Sequence, residues 1–231
     1  MSYNIIISGT SSGIGQQLGN YLTEKGHKVT GLSRNINREN NFETLRCDIT
    51  NFDSLRETLN KITKVDCLIN NAGIAKSKVK NEKKNFEEII KTNLIGTYDL
   101  TYLLQKKLAK SNKASIINVC SVSGHQGAFN NPGYVSSKSA LLGLTRALAN
   151  DYGSQNIRVN SISLGYFKTP MTIKSYKLKK RRKEINSKMI ISRWGEPKDL
   201  FGLVEYLISE RASYITGQDF VIDGGWLAKG V

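Results

Sequence analysis

Short apolar stretches alternate along the chain with longer segments in which apolar residues recur at helical spacing. Strands that are apolar on both faces and alternate with helices are typical of a parallel sheet covered by helices on both sides. The pattern predicts strands at residues 4–8, 27–33, 44–47, 65–70, 115–121, 157–163 and 219–222. It predicts helices between them at residues 15–25, 52–62, 86–110, 134–152 and 197–209. We therefore expect an α/β fold with one doubly wound parallel sheet of about seven strands and helices on both faces.

The length and composition of the chain fit a single domain that covers residues 1–231. The sequence contains neither an internal repeat nor a linker rich in Gly, Ser or Pro. A basic stretch near residues 171–190 interrupts the alternation, and we expect it to leave the sheet as an excursion. No apolar run approaches the roughly 20 residues that span a bilayer, and the first residues lack a signal-peptide pattern. The expectation is a soluble, cytoplasmic protein with no membrane partner.

The formal net charge of +15 is concentrated in one segment, because residues 174–188 hold eight basic side chains and one acid, Glu184. Three interpretations of this segment stay open: a solvated helix face, a docking surface for an anionic substrate or carrier, and a nucleic-acid site. The composition of the run does not favour nucleic acid as a partner, since such sites usually combine basic groups with stacking aromatic rings and this run offers only Tyr176.

The cysteines and histidines do not predict a metal site. Cys47, Cys67 and Cys120 are odd in number and widely spaced, which fits neither a disulfide framework nor a zinc motif. Each lies in or beside an apolar segment, so we expect buried thiols that pack as small apolar side chains. With only His27 and His125 available, no transition-metal site is expected.

The first predicted strand runs directly into a glycine-rich turn, Ser8-Gly9-Thr10-Ser11-Ser12-Gly13-Ile14-Gly15, and a helix follows. Glycine lets the backbone turn tightly and approach a pyrophosphate, and a helix N-terminus offers N–H groups to its charge. The turn resembles the T-G-x-x-x-G-I-G turn of the short-chain dehydrogenase/reductase family, with Ser8 in place of threonine. The resemblance implies a Rossmann-type fold and a nicotinamide cofactor contacted by Gly9, Ser11, Ser12, Gly13, Ile14 and Gly15.

The end of the second strand bears on the choice of cofactor. An acid about 20 residues beyond the glycine turn favours NAD, but residues 31–35 contain none. Ser33 and Arg34 could instead bind a 2′-phosphate, so NADP(H) is favoured over NAD(H). The alternative is that Arg34 is an ordinary surface arginine. The connection to the third strand is short, and we expect the helix usual in the family there to be missing or reduced to a turn.

Three further segments resemble cofactor-contacting motifs of the family. Asp48, followed by Ile49, matches the aspartate that bonds the adenine amino group, with a helix cap or turn as the alternative role. Asn70-Asn71-Ala72-Gly73 matches the N-N-A-G motif, whose small residues let the backbone approach the cofactor. The stretch after the sixth strand resembles P-G-x-x-x-T, with Leu164 in place of proline, and it implies contacts from Gly165, Phe167 and Thr169.

Tyr134 and Lys138 form a Y-x-x-x-K pair that shares one helix face. The pair alone is weak evidence, because the chain also contains Tyr21/Lys25, Tyr102/Lys106 and Tyr176/Lys180. Context selects Tyr134, which follows Ser121 at the end of an apolar strand by 13 residues, as in the family. Ser123 is a close competitor, but the spacing favours Ser121. Asn93 falls where the family has its catalytic asparagine.

The resemblance implies a role for each of these four residues. Tyr134 would be the acid in ketone reduction and the base in alcohol oxidation. Lys138 would favour the phenolate and hold the nicotinamide ribose hydroxyls, and Ser121 would hydrogen-bond the substrate oxygen. Asn93 would hold a water that links Lys138 to solvent.

The resemblance continues to the C-terminus, where residues 193–197, 214–218 and 221–225 match the last helix and strand of the family. It implies a homodimer or homotetramer that forms through the helices of Asn93 and Tyr134. The expected function is an NAD(P)(H)-dependent oxidoreductase acting on a ketone or secondary alcohol, with a 3-oxoacyl thioester as one substrate candidate. A keto-sugar or polyol is the alternative. Distant alternatives are a catalytically idle cofactor sensor and a nucleic-acid-binding protein.

Overall fold

The computed structural model describes residues 2–76 and 82–229. Seven strands form one sheet in the order β3-β2-β1-β4-β5-β6-β7, and every neighbouring pair is parallel. The strands are β1 Asn4–Ser8, β2 Lys28–Ser33, β3 Glu43–Arg46, β4 Cys67–Asn70, β5 Ser115–Ser121, β6 Arg158–Leu164 and β7 Asp219–Ile222. The prediction of a seven-stranded parallel sheet is confirmed, and the strand ends lie within two residues of those predicted.

The helices also follow the predicted order. They are α1 Gly13–Glu24, α2 Phe52–Asn60, α3 Glu82–Ile90, α4 Gly96–Leu108, α5 Pro132–Gly153, α6 Ile173–Lys177, α7 Lys179–Ser187 and α8 Phe201–Ile208. The predicted helix 86–110 is in fact α3 and α4, joined by a π-helical turn at Lys91–Ile95. The predicted helix 197–209 begins with a 3₁₀ turn, Pro197–Leu200, before α8.

Two hydrophobic cores lie on opposite faces of the sheet, which explains why the central strands β1 and β4 are apolar on both faces. In β1, Ile6 contributes to one core, and Ile5 and Ile7 contribute to the other. The first core contains Leu55 of α2, Leu100 of α4 and Leu148 of α5, and all three side chains are buried. The second core contains Leu18 of α1 and Val204 of α8.

The strand order reverses direction at β1, because the chain builds β2 and β3 on one side and β4 to β7 on the other. In such sheets the loops at the carboxyl ends of the strands separate at this point and leave a crevice. The glycine turn after β1, Arg34 after β2, Asn71 after β4 and Ser121 at the end of β5 all lie along this edge. The fold therefore brings most of the predicted site residues together at the carboxyl edge of the sheet.

Two connections depart from regular alternation. Residues 34–42, between β2 and β3, contain no helix, as predicted. The segment 171–190, here called the basic lid, forms the two short helices α6 and α7 and adds no strand to the sheet.

Within the described ranges no helix is both long and apolar enough to cross a membrane. The three cysteines are free and buried, as predicted.

Candidate active site

A cavity of about 300 Å³ opens at the carboxyl edge of the sheet. Residues from six strand ends and from the start of α5 line it, and nearly all predicted cofactor contacts are among them. These are Gly9, Ser11, Ser12, Gly13, Ile14, Ser33, Arg34, Asp48, Ile49, Asn71, Ala72, Gly73, Gly165, Phe167 and Thr169. Ser121, Tyr134 and Lys138 also line the cavity, whereas Gly15 and Asn93 lie behind its wall.

The glycine turn needs its glycines for two different reasons. Gly9 and Gly13 have φ values of +76° and +64°, a left-handed conformation that residues with a Cβ rarely adopt. Gly15 is required by space, because a Cβ there would lie 2.3 Å from the Gly9 carbonyl oxygen. Asn71 fixes the turn from the opposite side, since its Nδ2 donates to the carbonyl oxygens of Ser8 and Gly9, each at 3.0 Å.

The start of α1 supplies donors for an anion. Its N-cap residue, Ser12, has an extended backbone and makes no side-chain cap, so the first N–H groups of the helix are not bonded by that hydroxyl. Ser12, Gly13 and Ile14 line the cavity at this helix end, where the helix dipole favours negative charge. A dinucleotide pyrophosphate fits this tight, glycine-built cradle.

Where β2 and β3 end, the cavity is lined by one acid and one base, Asp48 and Arg34. Burial raises the pKa of Asp48, but hydrogen bonds from the Thr50 N–H and hydroxyl, with the charges of Arg34 and Lys91, hold it below its usual value. The two bonds from Thr50 measure 2.9 and 2.8 Å. Asp48 is therefore an ionised acceptor in a fixed orientation, while Arg34 at the end of β2 is exposed to solvent.

Tyr134 and Lys138 lie one turn apart on α5, and the Lys138 Nζ is 5.8 Å from the Tyr134 ring centroid. Lys138 is only 4% exposed, and its Nζ donates to the Val119 carbonyl oxygen at 2.7 Å. Ser121 is buried at the cavity wall, and its Oγ accepts from the Ser123 N–H at 3.1 Å. Of the two serine candidates, Ser121 is the one that lines the cavity.

Asn93 is fully buried in the π-helical turn, a feature that is frequent at functional sites. Its Oδ1 accepts from the Ile74 N–H at 2.8 Å, and its Nδ2 donates to the Ile74 carbonyl at 3.0 Å. The same Nδ2 donates to the Ser137 Oγ at 3.1 Å. Asn93 therefore joins the chain after β4 to the helix of Tyr134, which it contacts through Ser137, the residue before Lys138.

Sequence reasoning missed two of these contacts. Val119 contributes a backbone carbonyl, and Ser137 contributes a hydroxyl that bridges Asn93 and the Tyr134 carbonyl oxygen. A backbone acceptor leaves no signature in residue type. The Ser137 bond joins residues 44 positions apart, so no local pattern predicts it.

The basic lid closes one side of the cavity. Met171 and Thr172 line the cavity, but none of the eight basic residues between 174 and 188 does. The lid packs on an aromatic cluster in which Trp194 contacts Tyr166 and Tyr176, with ring centroids 5.2 and 5.4 Å apart. Ile185 of α7 is buried in the same cluster. Ile185 and Met189 thus anchor the lid to the protein, while most of its basic side chains, together with Leu178, are exposed to solvent.

Two curated relatives are similar to the chain over nearly its whole length. A 2-dehydro-3-deoxy-D-gluconate 5-dehydrogenase from Dickeya dadantii is 31% identical over 240 residues, covering 97% of this chain and 95% of the relative. The 3-oxoacyl-[acyl-carrier-protein] reductase FabG from Thermotoga maritima is 30% identical over 239 residues, covering 95% of this chain and 96% of the relative. These two relatives act on different classes of substrate.

Solved structures agree with the fold and with the family. A 4-hydroxyisoleucine dehydrogenase in complex with NADH is 36% identical, with a TM-score of 0.92 over 99% of this chain and 100% of that chain. A candidate NAD(P)-dependent gluconate 5-dehydrogenase from Beutenbergia cavernae, with bound NADP, is 28% identical, with a TM-score of 0.91 over 98% and 97%. The family model described as enoyl-(acyl carrier protein) reductase matches residues 9–227. The chain belongs to the short-chain dehydrogenase/reductase family and is a nicotinamide-dependent oxidoreductase that acts on alcohol and ketone groups.

Proposed function

We propose that the chain is a single cytoplasmic domain, residues 1–231, that uses NADP(H) to reduce a 3-oxoacyl thioester presented by an acidic carrier protein. The observation that supports a carrier-bound substrate is the position of the basic side chains in the lid. None of the eight basic side chains lines the cavity, so none is placed to hold a small anion at the reacting carbon. They can attract a large acidic partner to the mouth of the cavity and raise its rate of association.

The cofactor would be held along the carboxyl edge, by the glycine turn at its pyrophosphate, by Asp48 at its adenine and by Lys138 at its nicotinamide ribose. When bound, it supplies the hydride that is exchanged with the carbonyl carbon. Lys138 suits its role, because one ammonium hydrogen is used by Val119 and two remain for ribose hydroxyls. Gly165, Phe167 and Thr169 would flank the nicotinamide end.

The proton chemistry falls to Tyr134 and Ser121. In ketone reduction the Tyr134 hydroxyl donates its proton to the carbonyl oxygen, and in alcohol oxidation the phenolate accepts it. Ser121 accepts the Ser123 N–H on its oxygen, which leaves its own hydroxyl proton free for the substrate oxygen. We assign Asn93 to a water-mediated link between Lys138 and solvent.

The preference for NADP(H) rests on the end of β2, where Ser33 and Arg34 line the cavity and no carboxylate is present in residues 31–35. An arginine there can pair with a 2′-phosphate. Arg34→Ala should raise the Kd for NADPH by at least tenfold and leave the Kd for NADH within twofold, as measured by calorimetric titration. An equal loss for both nucleotides would contradict the assignment.

The substrate class is tested with one acyl group in two forms: acetoacetyl on a small thiol and acetoacetyl on an acidic carrier protein. Reversing Lys179, Lys180 and Lys183 to Glu should lower kcat/KM for the carrier-bound form by at least tenfold and leave the small thioester within twofold. The matched control reverses Lys61, Lys64 and Lys110, exposed lysines that follow α2 and α4. An equal effect on both substrates, or none, would rule out carrier docking at the lid.

A keto-sugar or polyol is the second candidate, and the 31% identity with a 2-dehydro-3-deoxy-D-gluconate 5-dehydrogenase favours it. NADPH consumption with a panel of keto-sugars and keto-acids, run beside the thioesters with Tyr134→Phe as the blank, separates the two. Turnover of the panel alone would assign the protein to carbohydrate chemistry and reduce the lid lysines to a solvated surface. The preserved Tyr134, Lys138 and Ser121 at the cavity argue against an idle sensor.

We further propose assembly as a homodimer or homotetramer through α4 and α5. The π-helical turn and α4 expose Ile95, Tyr98 and Tyr102, and the two tyrosine rings stack with centroids 6.2 Å apart. Apolar residues that cluster on one exposed helix face mark an interface. Tyr98→Glu combined with Tyr102→Glu should convert the assembly to monomer in light scattering, and an unchanged mass would contradict this interface.

A further inference from the structure

The connection between β2 and β3, residues 34–42, reaches across to the glycine turn. The Asn37 Nδ2 donates to the Ser11 carbonyl oxygen at 3.0 Å. The Asn40 Nδ2 donates to the Thr10 carbonyl oxygen at 3.3 Å. Two asparagine amides therefore bond two consecutive carbonyls of the turn, from the part of the chain where the family's usual helix is missing.

Packing fixes this connection against the rest of the fold. The Phe42 ring fills the space above α1 and β2, where a Cβ on Gly19 or Gly31 would lie 2.4 or 2.8 Å from ring atoms. The Asn40 Nδ2 also donates to the Thr44 Oγ1 at 3.0 Å, at the start of β3. Phe42 thus packs the connection against α1 and β2, and the Asn40 amide bonds both β3 and the turn.

The geometry of the peptide group links these carbonyls to the cavity. In a trans peptide the C=O of one residue and the N–H of the next point in opposite directions. A bond that fixes the Thr10 carbonyl fixes the Ser11 N–H, and a bond that fixes the Ser11 carbonyl fixes the Ser12 N–H. Ser11 and Ser12 both line the cavity. A donor on each carbonyl also polarises the peptide and strengthens its N–H as a donor.

We propose that Asn37 and Asn40 are positioning residues of the cofactor site, which hold the N–H groups of Ser11 and Ser12 toward the diphosphate of the dinucleotide. The proposal rests on the cofactor site proposed above and extends it to residues outside the cavity wall. Because both nicotinamide dinucleotides share the diphosphate, the two asparagines contribute to the affinity for NADPH and for NADH alike. Arg34, in contrast, acts on NADPH alone.

The test uses the full chain and measures nucleotide binding by calorimetric titration, without any carbonyl substrate. Asn37→Ala and Asn40→Ala should each raise the Kd for NADPH and for NADH about fivefold to tenfold, with their ratio unchanged within twofold. Competition against NADPH should show the same loss for ADP and no loss for adenosine, which lacks the diphosphate. Asn41→Ala is the matched control, because its side chain bonds the Asn20 carbonyl on α1 and not the turn.

Unchanged affinities in both variants would overturn the proposal, as would an equal loss in Asn41→Ala. Equal weakening of ADP and adenosine would also overturn it, since general loosening of the fold does not distinguish the two ligands. If the unaltered protein bound neither NADPH nor NADH, the cofactor site itself would fail and the inference with it. Binding by the unaltered protein with no effect of the asparagines would refute the inference alone.

Discussion

Asn118→Ala should lower the free energy of unfolding by more than the loss of a single strand side chain would, because Asn118 hydrogen-bonds to two other elements of the fold. Asn118 is in β5 and has no solvent exposure. Its Oδ1 accepts from the Asn70 Nδ2 at 2.9 Å, and its Nδ2 donates to the Thr145 Oγ1 at 2.9 Å. The Asn70 Nδ2 also donates to the Thr101 Oγ1 at 3.0 Å. One asparagine side chain therefore connects β4 and β5 to α5, and through Asn70 to α4.

The magnitude follows from what Asn118→Ala leaves behind. One N–H of Asn70 and one lone pair of Thr145 lose their partner in a site without water access, and an unmet buried polar group costs about 1–3 kcal/mol. Thr145 keeps its bond to the Leu141 carbonyl at 2.8 Å, so its loss lies at the low end. We expect a decrease of about 2–4 kcal/mol in the free energy of unfolding.

Urea unfolding followed by far-ultraviolet circular dichroism measures this change, at one protein concentration because assembly shifts apparent stability. Thr145→Val completes a double-mutant cycle, in which the coupling with Asn118→Ala should be about 1–2 kcal/mol. A loss below about 1 kcal/mol for Asn118→Ala, together with a coupling near zero, would refute the view that the amide network stabilises the sheet.

Three further predictions concern the glycine turn, the loss of stability at low pH, and the acid–base residue Tyr134. Gly15→Ala should raise the Kd for both nucleotides at least tenfold in titration, because its Cβ would lie 2.3 Å from a carbonyl of the turn. Burial raises the pKa of Asp66, but hydrogen bonds from Ser111 and from the N–H and side chain of Asn4 hold it below its usual value. The stabilisation from these bonds is thus complete above the unfolded pKa of about 3.9 and is lost as pH falls through the lower folded value. Asp66→Asn should therefore make the free energy of unfolding, measured by urea titrations, less dependent on pH below about pH 4. Tyr134→Phe should lower kcat by about 10²–10⁴ and leave the Kd for NADPH within twofold; retained turnover would exclude it as the acid.

The sheet and most of the cavity were predictable because their signals are local. Each strand is a short apolar run, and many of the predicted cofactor contacts closely follow a strand, so the order of elements alone places Asp48, Asn71 and Gly165 at one edge. The choice of Ser121 over Ser123 rests on spacing and stays a prediction, and the two serines have different places in the structure. Ser121 ends β5 with its side chain at the cavity, whereas Ser123 contributes the N–H that orients it.

The π-helical turn and the asparagine contacts were not predictable because their causes are distant. Lys91–Ile95 keeps the apolar spacing of the helices on either side, and no residue in it marks the wider turn. Asn37 and Asn40 are in a connection predicted only to be short, and their partners lie 26 and 30 residues earlier. Asn118 interrupts an apolar strand, and its partner Thr145 is 27 residues later.

Asn118 also connects stability to the active site. Its bond to Thr145 fixes the rotation of α5 about its own axis, and Lys138 is seven residues earlier on the same helix, close to the same face. The next residue of β5, Val119, provides the carbonyl that receives the Lys138 Nζ. If α5 lost its bond at Thr145 it would turn or shift, and the Lys138 ammonium would move away from that carbonyl and from its proposed contact with the ribose. Asn118→Ala should therefore lower kcat as well as stability, whereas a cavity made in the opposite core by Val204→Ala should lower stability alone.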